Sequence, residues 1–166
     1  KPVMYVCNVD ENSAAYGNDF SRKVFAKAEA EKARAVIISA EIEAEVAQLE
    51  SEDEKKEFLA SLGLAETGLT KIIREGYKLL GLETYFTAGP KEVRAWTFVK
   101  GSKAPQCAGI IHSDFERGFI RAETIAYDDF VALGGEQACK EAGKMRSEGK
   151  EYVVQDGDLL NFLFNV

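Results

Sequence analysis

The sequence predicts two structural units, an α/β unit of parallel strands and helices followed by an α+β unit with the element order of a β-grasp, or ubiquitin-like, fold. Two patterns predict this division. Apolar strand-like runs alternate with helical periodicity up to residue 80, and from Leu82 the apolar period shortens toward two. A chain of 166 residues is long enough for one or two modest cores. We therefore predict an α/β segment at residues 1–60, a linking helix at residues 61–80 and an α+β domain at residues 81–166.

The first unit is predicted to begin as strand, helix, strand. Residues 2–7 form a short apolar run rich in Val and Tyr, which is typical of a strand covered on both faces in a parallel sheet. Helical spacing of apolar residues begins at Asp19, and a second apolar run covers residues 35–38. Open α/β sheets bind ligands in the loops at the carboxyl ends of such strands. Here these loops are Asn8–Glu11 and Ser39–Glu41.

The rest of the first unit is predicted to be helical. Residues 41–57 are rich in carboxylates but keep an apolar stripe at helical spacing, which favours a helix with a solvated acidic face. Ser51 and Glu54 have the spacing of a capping box and predict the start of the next helix. A strongly amphipathic pattern from Leu69 then predicts the linking helix, which ends at Gly81.

The second unit is predicted to be rich in strands. Two β-rich runs flank Gly89-Pro90, a turn signal that favours a hairpin. In chain order, the predicted elements are strands at residues 84–88 and 92–99, a helix at 104–112, a strand at 119–125, and a closing strand pair formed by residues 152–154 and 160–166. A hairpin, a helix and further strands follow one another in this order in a β-grasp fold.

Composition argues against several classes of function. The formal net charge of −7 opposes long-range attraction to nucleic acid, so we expect no DNA partner, although net charge does not exclude a local basic face. No apolar run approaches the roughly 20 residues of a membrane span, so we expect no membrane association. Cys7, Cys107 and Cys139 are far apart in the sequence and are expected to be reduced, as in a cytoplasmic protein. A metal site is not expected, because His112 is the single histidine.

Two short motifs lie in the loops that follow the predicted parallel strands. Asn8-Val9-Asp10-Glu11 has the form N-x-x-E, and Ser39-Ala40-Glu41 has the form S-A-x. Both resemble the base-recognition motifs of a P-loop nucleotide-binding domain, in the N-x-x-E variant of the YchF-type Obg-like ATPase family. This resemblance implies that the first unit is the remnant of a P-loop G domain. The alternative for residues 8–11 is an Asx-type turn or a helix-cap loop.

The second unit carries a longer resemblance to the same family. Its matching runs occur in order, cover most of residues 81–166 and make this unit similar to a TGS domain. These runs are Tyr85–Gly89, Glu92–Thr97, Ala104–Gln106, His112–Ala122 and Asp156–Asp158. The resemblance implies that the full-length protein is a ribosome-associated, nucleotide-binding ATPase.

The N-x-x-E motif carries a prediction about base preference. Guanine presents two adjacent donors, which a short Asp carboxylate accepts together through strong charged hydrogen bonds. Glu11 is longer by a methylene group, and Val9 stands where a typical GTPase has Lys, so guanine preference should weaken and adenine should be accepted. The resemblance further implies that ATP is preferred over GTP, with Asn8 as a polar base contact, the backbone amide of Val9 at the adenine, and backbone contacts from Ser39 and Ala40.

No phosphate-binding loop of the form G-x-x-x-x-G-K-[ST] occurs in the sequence. The nearest string, at residues 138–145, lacks the first Gly and the final Ser or Thr, and we interpret it as an exposed helix end. Without this loop and ligands for magnesium, the chain alone is expected to be inactive, and no catalytic residue is assigned in it. The resemblance implies that a longer protein binds ATP with Mg²⁺ and hydrolyses it to ADP and phosphate, with the phosphate loop, the magnesium ligands and the family's catalytic histidine preceding Lys1.

Basic residues of the second unit are candidates for partner binding. The candidates are Lys91, Arg94, Lys100, Lys103, Arg117 and Arg121. Some of these residues are expected to share an exposed sheet face and form a basic patch. The predicted partner contacts are Lys91, Arg94, Arg117 and Arg121. The resemblance implies that this patch contacts the ribosome, in particular its large subunit. The alternative is ordinary surface charge paired with neighbouring carboxylates.

Two other interpretations of the chain stay open. In one, it is a self-sufficient ubiquitin-like interaction module that binds no nucleotide. In the other, it is a small enzyme that uses His112 with Asp114 and Glu116, because a histidine near carboxylates can titrate close to neutrality. Capping of a helix end is the simpler role for this histidine. The aromatic residues around Trp96 are interpreted as core packing rather than as a stacking platform for RNA.

Overall fold

The computed structural model describes residues 1–89 and 92–165. It contains two compact units, residues 1–80 and residues 81–166. Lys91, one of the predicted partner contacts, lies outside the described residues, as does Pro90 of the predicted turn. Among the described helices, none is long and apolar enough to cross a membrane.

The first unit is built on two parallel strands. In chain order its elements are β1 (Met4–Asn8), a short 3-10 helix (Glu11–Ser13), α1 (Asp19–Ala30), β2 (Arg34–Ile38), α2 (Ala40–Val46), α3 (Glu52–Ser61) and α4 (Gly68–Leu80). β1 and β2 pair over their whole length, from Met4 opposite Arg34 to Asn8 opposite Ile38. The parallel pairing predicted from the strand–helix–strand pattern is confirmed.

Local caps and a small apolar cluster hold the helices of this unit. Asn18 and Ser21 form a capping box at the start of α1, and Ser51 and Glu54 form the predicted one at the start of α3. The buried members of the apolar cluster are Ala14, Ile42, Val46 and Leu59. Because two of these residues belong to α2, the cluster keeps this short helix beside the loop that follows β2.

α4 approaches β2 at a point where only glycine fits. A Cβ atom at Gly68 would lie 2.7 Å from Cγ2 of Ile38, the last residue of β2. That distance is shorter than van der Waals contact, so a larger residue would push the helix away from the strand. Gly68 therefore sets the distance between α4 and the end of β2.

The second unit is a five-stranded mixed sheet with helices. Its elements are β3 (Leu82–Ala88), β4 (Val93–Val99), α5 (Ala104–Ile111), α6 (Ser113–Arg117), β5 (Phe119–Ile125), α7 (Tyr127–Leu133), α8 (Glu136–Glu141), β6 (Arg146–Glu148) and β7 (Leu159–Phe164). The strands lie in the order β4-β3-β7-β5-β6. β3 and β7 run parallel, and the other neighbouring pairs run antiparallel. The predicted hairpin strands, the helix after them and the strand at residues 119–125 are confirmed.

A buried aromatic cluster forms the core of the second unit. Tyr85 is fully buried, and its ring packs against those of Trp96, Phe98 and Phe162. Its hydroxyl donates a 2.9 Å hydrogen bond to the carbonyl oxygen of Cys107 in α5, which ties the helix to the sheet. Burial raises the pKa of the Cys107 thiol to about 12, so this cysteine stays protonated near neutral pH. The prediction that the aromatic residues pack in a core is confirmed.

Of the predicted closing strand pair, the second strand is confirmed as β7, and the first, at residues 152–154, is wrong. Residues 152–154 form no strand, and Val153 makes only an isolated bridge to Lys103. β7 pairs instead with β3 and β5 in the middle of the sheet. At the turn before β7, the carboxylate of Asp158 accepts hydrogen bonds from the hydroxyl of Tyr152 at 2.7 Å and from the N–H of Gln155 at 2.9 Å. The elements α6, α7 and β6 were not predicted, since each has seven residues or fewer and so shows little periodicity.

Candidate functional site

The two predicted base-recognition loops meet at one edge of the parallel strand pair. β1 ends at Asn8 and β2 ends at Ile38, and these residues lie opposite each other. The side-chain Oδ1 atom of Asn8 accepts a 2.9 Å hydrogen bond from the backbone N–H of Ala40, the first residue of α2. The first N–H groups of a helix have no partner within it, so Asn8 satisfies a group that would otherwise need water or a ligand. This bond ties the N-x-x-E loop to the S-A-x loop.

The side chain of Asn8 keeps two donors for a ligand. Asn8 is exposed, and its Nδ2 group makes no hydrogen bond with any residue in the described ranges. An amide whose oxygen is engaged and whose nitrogen is free can donate to an acceptor atom of a purine ring. Asn8 is therefore suited to the polar base contact that the sequence predicted.

Val9 does not offer its backbone N–H to a ligand. This N–H donates a 2.9 Å hydrogen bond to the carbonyl oxygen of Ile38, which continues the ladder between the strands past the end of β1. The implied contact of the Val9 N–H with adenine is therefore not available in this structure. A contact from Val9 would have to come from its carbonyl oxygen or its side chain.

The S-A-x loop holds a buried polar group. Ser39 is 3% exposed, and within the described parts of the chain its hydroxyl oxygen has no hydrogen-bond partner. Leaving a buried hydroxyl unpaired costs about 1–3 kcal/mol, so most such groups in proteins have a partner. The N–H of Ala40 is already taken by Asn8, and a backbone contact between Ala40 and a base would require Asn8 to release it. The Ala40 N–H is thus occupied, whereas the buried Ser39 hydroxyl keeps a donor that no described residue uses.

The hydrogen bonds of the first loop leave Glu11 free. Asp10 caps the 3-10 helix by accepting from the backbone N–H of Ser13 at 3.1 Å and from its hydroxyl at 3.0 Å. The alternative interpretation of this segment as a helix-cap loop is thus confirmed for Asp10. Glu11 is partly buried, and its carboxylate makes no hydrogen bond or ion pair with a described residue. Because Asp10 performs the capping, the Glu11 carboxylate is available to a ligand.

An open cavity of about 410 Å³ lies beside the first loop. Asn8 and Val9 line it, together with residues of β1 and α1. Glu11, Ser39 and Ala40 do not line it. The cavity is therefore next to the joined loops and is not formed by both of them.

Glu43 is a polar residue of this region that the sequence analysis missed. Its carboxylate oxygens accept hydrogen bonds from the N–H of Gly68 at 2.6 Å and from that of Leu69 at 3.2 Å, at the start of α4. A carboxylate is favourable at a helix N-terminus because of the helix dipole and the unpaired N–H groups there. No local sequence signal reveals this contact, since 25 residues separate Glu43 from Gly68.

Two of the predicted patch residues, Arg94 and Arg121, lie on opposite faces of the second unit's sheet. Arg94 lies on the face of the aromatic core, with its guanidinium carbon 4.1 Å from the centre of the Trp96 ring. Arg121 precedes the core residue Ala122 in β5, so its side chain lies on the opposite face. The expectation of a shared face is therefore wrong for Arg94 and Arg121.

Several of the basic candidates are paired with carboxylates. Their partners are Glu92 for Arg94, Glu83 for Lys100, Glu151 for Lys103 and Asp114 for Arg117. Solvent screens exposed ion pairs of this kind, so they hold these side chains only weakly. Paired surface charge, the alternative to a binding patch, describes these four residues as they stand in the structure.

His112 caps a helix. Its Nδ1 atom accepts a 3.2 Å hydrogen bond from the backbone N–H of Asp114 at the start of α6. The carboxylate of Asp114 is hydrogen-bonded by Arg117, which holds the pKa of that carboxyl below its ordinary value. The capping role of His112 is confirmed, and its pairing with Asp114 does not form the free acid–base pair that the enzyme hypothesis requires.

The three cysteines and the acidic side chains form no metal site in the described parts of the chain. Across residues 1–89 and 92–165, no group of three or more His, Cys, Asp or Glu side chains could hold a metal ion. Cys7, Cys107 and Cys139 are all free, as predicted. Burial raises the pKa of the Cys7 thiol, next to the first loop.

Comparison with known proteins finds relatives along the whole chain. A family model described as YchF-GTPase_C, a protein of unknown function (DUF933), matches residues 82–165. The ribosome-binding ATPase YchF of Bacillus subtilis (strain 168) is 60% identical over 168 residues, and that of Escherichia coli O157:H7 is 55% identical over 166 residues. The alignments cover 100% of this chain but only 46% and 45% of these relatives, so the chain spans less than half of their length.

Solved structures share the architecture. The Schizosaccharomyces pombe YchF GTPase aligns with a TM-score of 0.83 and 36% identity, over 98% of this chain and 43% of that one. A GTP-binding protein from Pyrococcus horikoshii OT3 aligns with a TM-score of 0.66 over 99% of this chain and 46% of that one, and at 18% identity it shows the fold alone. By fold, the chain therefore groups with the corresponding parts of these two solved proteins. It belongs to the YchF GTPase family, whose C-terminal model matches half of its length.

Replacing Asn8 by Ala should release the Ala40 N–H. The substitution removes the acceptor of one hydrogen bond, so the first unit should lose about 0.5–1.5 kcal/mol of stability and the Ala40 amide should exchange faster. Site-resolved amide hydrogen exchange measures this change. Asn12→Ala is the matched control, because Asn12 is exposed and its side chain bonds to no described residue. Equal exchange at Ala40 in both variants would contradict the tie between the loops.

Proposed function

We propose that the first unit is the base-recognition segment of a P-loop nucleotide-binding domain that takes ATP in preference to GTP. The hydrogen bond between Asn8 and Ala40 carries this proposal, because it joins two motif loops at the carboxyl ends of adjacent parallel strands. The names of the Bacillus subtilis and Escherichia coli relatives, ribosome-binding ATPases, support a function that depends on a nucleotide.

Three groups at the joined loops would contact a purine, and two of them suit adenine better than guanine. The free Nδ2 of Asn8 would donate to a ring nitrogen of either purine. The carbonyl oxygen of Val9 would accept from the exocyclic amine of adenine, whereas guanine carries a carbonyl oxygen at that ring position. Glu11 is too long to replace the Asp that accepts both guanine donors together. ATP preference follows from the second and third of these groups.

Hydrolysis would use groups from outside this chain. In this class, a Gly-rich loop holds the phosphates, and hydroxyl or acidic ligands hold Mg²⁺. We propose that the full-length gene product supplies both and hydrolyses ATP to ADP and phosphate, while the chain alone does not. The loops described above would hold the base and so orient the nucleotide. Such a protein would work in the cytoplasm, where ATP and ribosomes occur together.

For the second unit we propose a TGS domain with a β-grasp fold that binds the ribosome at its large subunit. The succession of hairpin, helix and further strands, with the last strand β7 in the middle of the sheet, supports the fold. The ribosome-binding names of the relatives support the partner. Arginine side chains such as those of Arg94 and Arg117 suit ribosomal RNA, because they bind phosphates through two parallel hydrogen bonds. An interaction module that binds no nucleotide is the less favoured alternative, because those relatives are named ATPases.

Glu11→Asp should move the base preference toward guanine. The shorter carboxylate of Asp would accept both guanine donors, as in the motif of guanine-specific proteins. In the full-length gene product, the ratio of ATP to GTP affinity should fall about tenfold, the effect of roughly one charged hydrogen bond. Isothermal titration calorimetry with both nucleotides measures this ratio.

The control for this substitution is Glu29→Asp. Glu29 is exposed in α1, and its carboxylate has no hydrogen bond or ion pair within the described residues, so its shortening should leave the ratio unchanged. Tighter binding of GTP than of ATP by the unsubstituted protein would refute the proposed preference. An unchanged ratio in Glu11→Asp would remove Glu11 from the base site.

Charge reversal tests the ribosome contact. Arg94→Glu combined with Arg117→Glu should lower the affinity for ribosomes by about tenfold or more at low salt, because repulsion replaces attraction to RNA phosphates. Co-sedimentation with ribosomes measures the effect. Arg121→Glu reverses a charge on the other sheet face from Arg94, so it reports whether that face takes part. Unchanged co-sedimentation of all these variants would contradict an electrostatic contact through the second unit.

A further inference from the structure

The carboxylate of Glu43 joins two segments of the first unit that are distant in sequence. Glu43 lies in α2, which begins at Ala40 of the S-A-x loop. Its Oε1 atom accepts from the N–H of Gly68 at 2.6 Å, and its Oε2 atom accepts from the N–H of Leu69 at 3.2 Å. These are the first two residues of α4, so one side chain satisfies two N–H groups that the start of a helix leaves unpaired.

Close packing holds this contact in place. A Cβ atom at Gly68 would lie 2.7 Å from Ile38 and 3.1 Å from Oε1 of Glu43. The neighbouring Thr67 uses its hydroxyl to accept from the N–H of Thr70, so it does not compete for the groups that Glu43 binds. The start of α4 therefore has one carboxylate partner, and that partner comes from α2.

α2 depends on such outside contacts because it is short. It has seven residues, and isolated helices shorter than about 12 residues are marginal in water. Its N-cap residue, Ser39, makes no side-chain capping hydrogen bond. The first N–H of the helix is bound by Asn8, and the carboxylate of Glu43 fixes its next turn to α4. Asn8 and Glu43 thus hold the same short helix from two sides.

We propose that Glu43 is a positioning residue for purine recognition, which holds Ser39 and Ala40 in place opposite Asn8 by anchoring α2 to the start of α4. This inference rests on the proposed function of the two loops. Glu43 does not touch the nucleotide. When its carboxylate is removed, the start of α2 moves, the bond between Ala40 and Asn8 weakens, and affinity for the base falls while the grip on the phosphates is unaffected.

The coupling is reciprocal. By thermodynamic linkage, a base that holds α2 in place also stabilises the hydrogen bonds at the start of α4. α4 ends at Leu80, and the second unit begins at the next residue.

Glu43→Gln in the full-length gene product tests the proposal. Gln keeps the side-chain length but offers one acceptor oxygen where Glu43 offers two. Its NH₂ group is a donor, so it cannot bind the second backbone N–H group. We expect the affinity for ATP to fall about tenfold. Affinity for inorganic tripolyphosphate, which carries no base, should not change. Glu45→Gln makes the same charge change on α2, where the exposed Glu45 carboxylate has no partner among the described residues, and it should alter neither affinity.

A second measurement uses the unsubstituted protein and does not depend on how the variant folds. Amide exchange at Gly68 and Leu69 should slow when ATP binds and should not slow when tripolyphosphate binds. Three results would each overturn the positioning role. They are an unchanged ATP affinity in Glu43→Gln, equal losses of ATP and tripolyphosphate affinity in that variant, and amide exchange at Gly68 and Leu69 that does not change when ATP binds. If the unsubstituted protein binds no ATP, the proposed function fails and this inference fails with it.

Discussion

The hydrogen bond from the Ala40 N–H to the Asn8 side chain is the contact on which the chemistry of the first unit depends. Parallel pairing of β1 and β2 brings two loops to the same edge, but it does not by itself determine how the loops face each other. Asn8 makes that connection with its oxygen and keeps its nitrogen for a ligand. Asp10 takes over the cap of the 3-10 helix, so Glu11 keeps a free carboxylate. Asn8 and Glu11 therefore both keep polar atoms available to a ligand, while Asp10 holds the backbone of the loop.

Apolar packing and polar contacts determine different aspects of the position of α2. Burial of Ile42 and Val46 determines which side of the helix faces the core. Apolar burial is non-directional, so it does not determine where the helix lies along its axis. Asn8 and Glu43 supply the directional contacts that determine its position along that axis. In the second unit the equivalent directional contact is the buried hydroxyl of Tyr85, which ties α5 to the sheet. Both units thus combine an apolar core with a few hydrogen bonds that select one arrangement.

The sequence predicted the strands and helix caps that local residue patterns encode. Apolar runs located β1 and β2, and spacing of three residues revealed the capping box of Ser51 and Glu54. It could not predict contacts set by the tertiary fold, such as the carboxylate of Glu43 on α4 or the use of the Val9 N–H in the strand ladder. The opposite faces of Arg94 and Arg121 depend on strand register, which is irregular between Phe119 and Arg121. The turn before β7 replaced a predicted strand because buried Asp158 organises it.

A crystal structure of the full-length gene product with a non-hydrolysable ATP analogue tests the central claim most directly. If the joined loops form the base site, the adenine will lie against both of them, with Nδ2 of Asn8 within hydrogen-bond distance of a ring nitrogen and the carboxylate of Glu11 at the rim. The hydrogen bond between Asn8 and Ala40 will persist beside the bound base. An adenine bound elsewhere, or one that contacts neither loop, would contradict the claim.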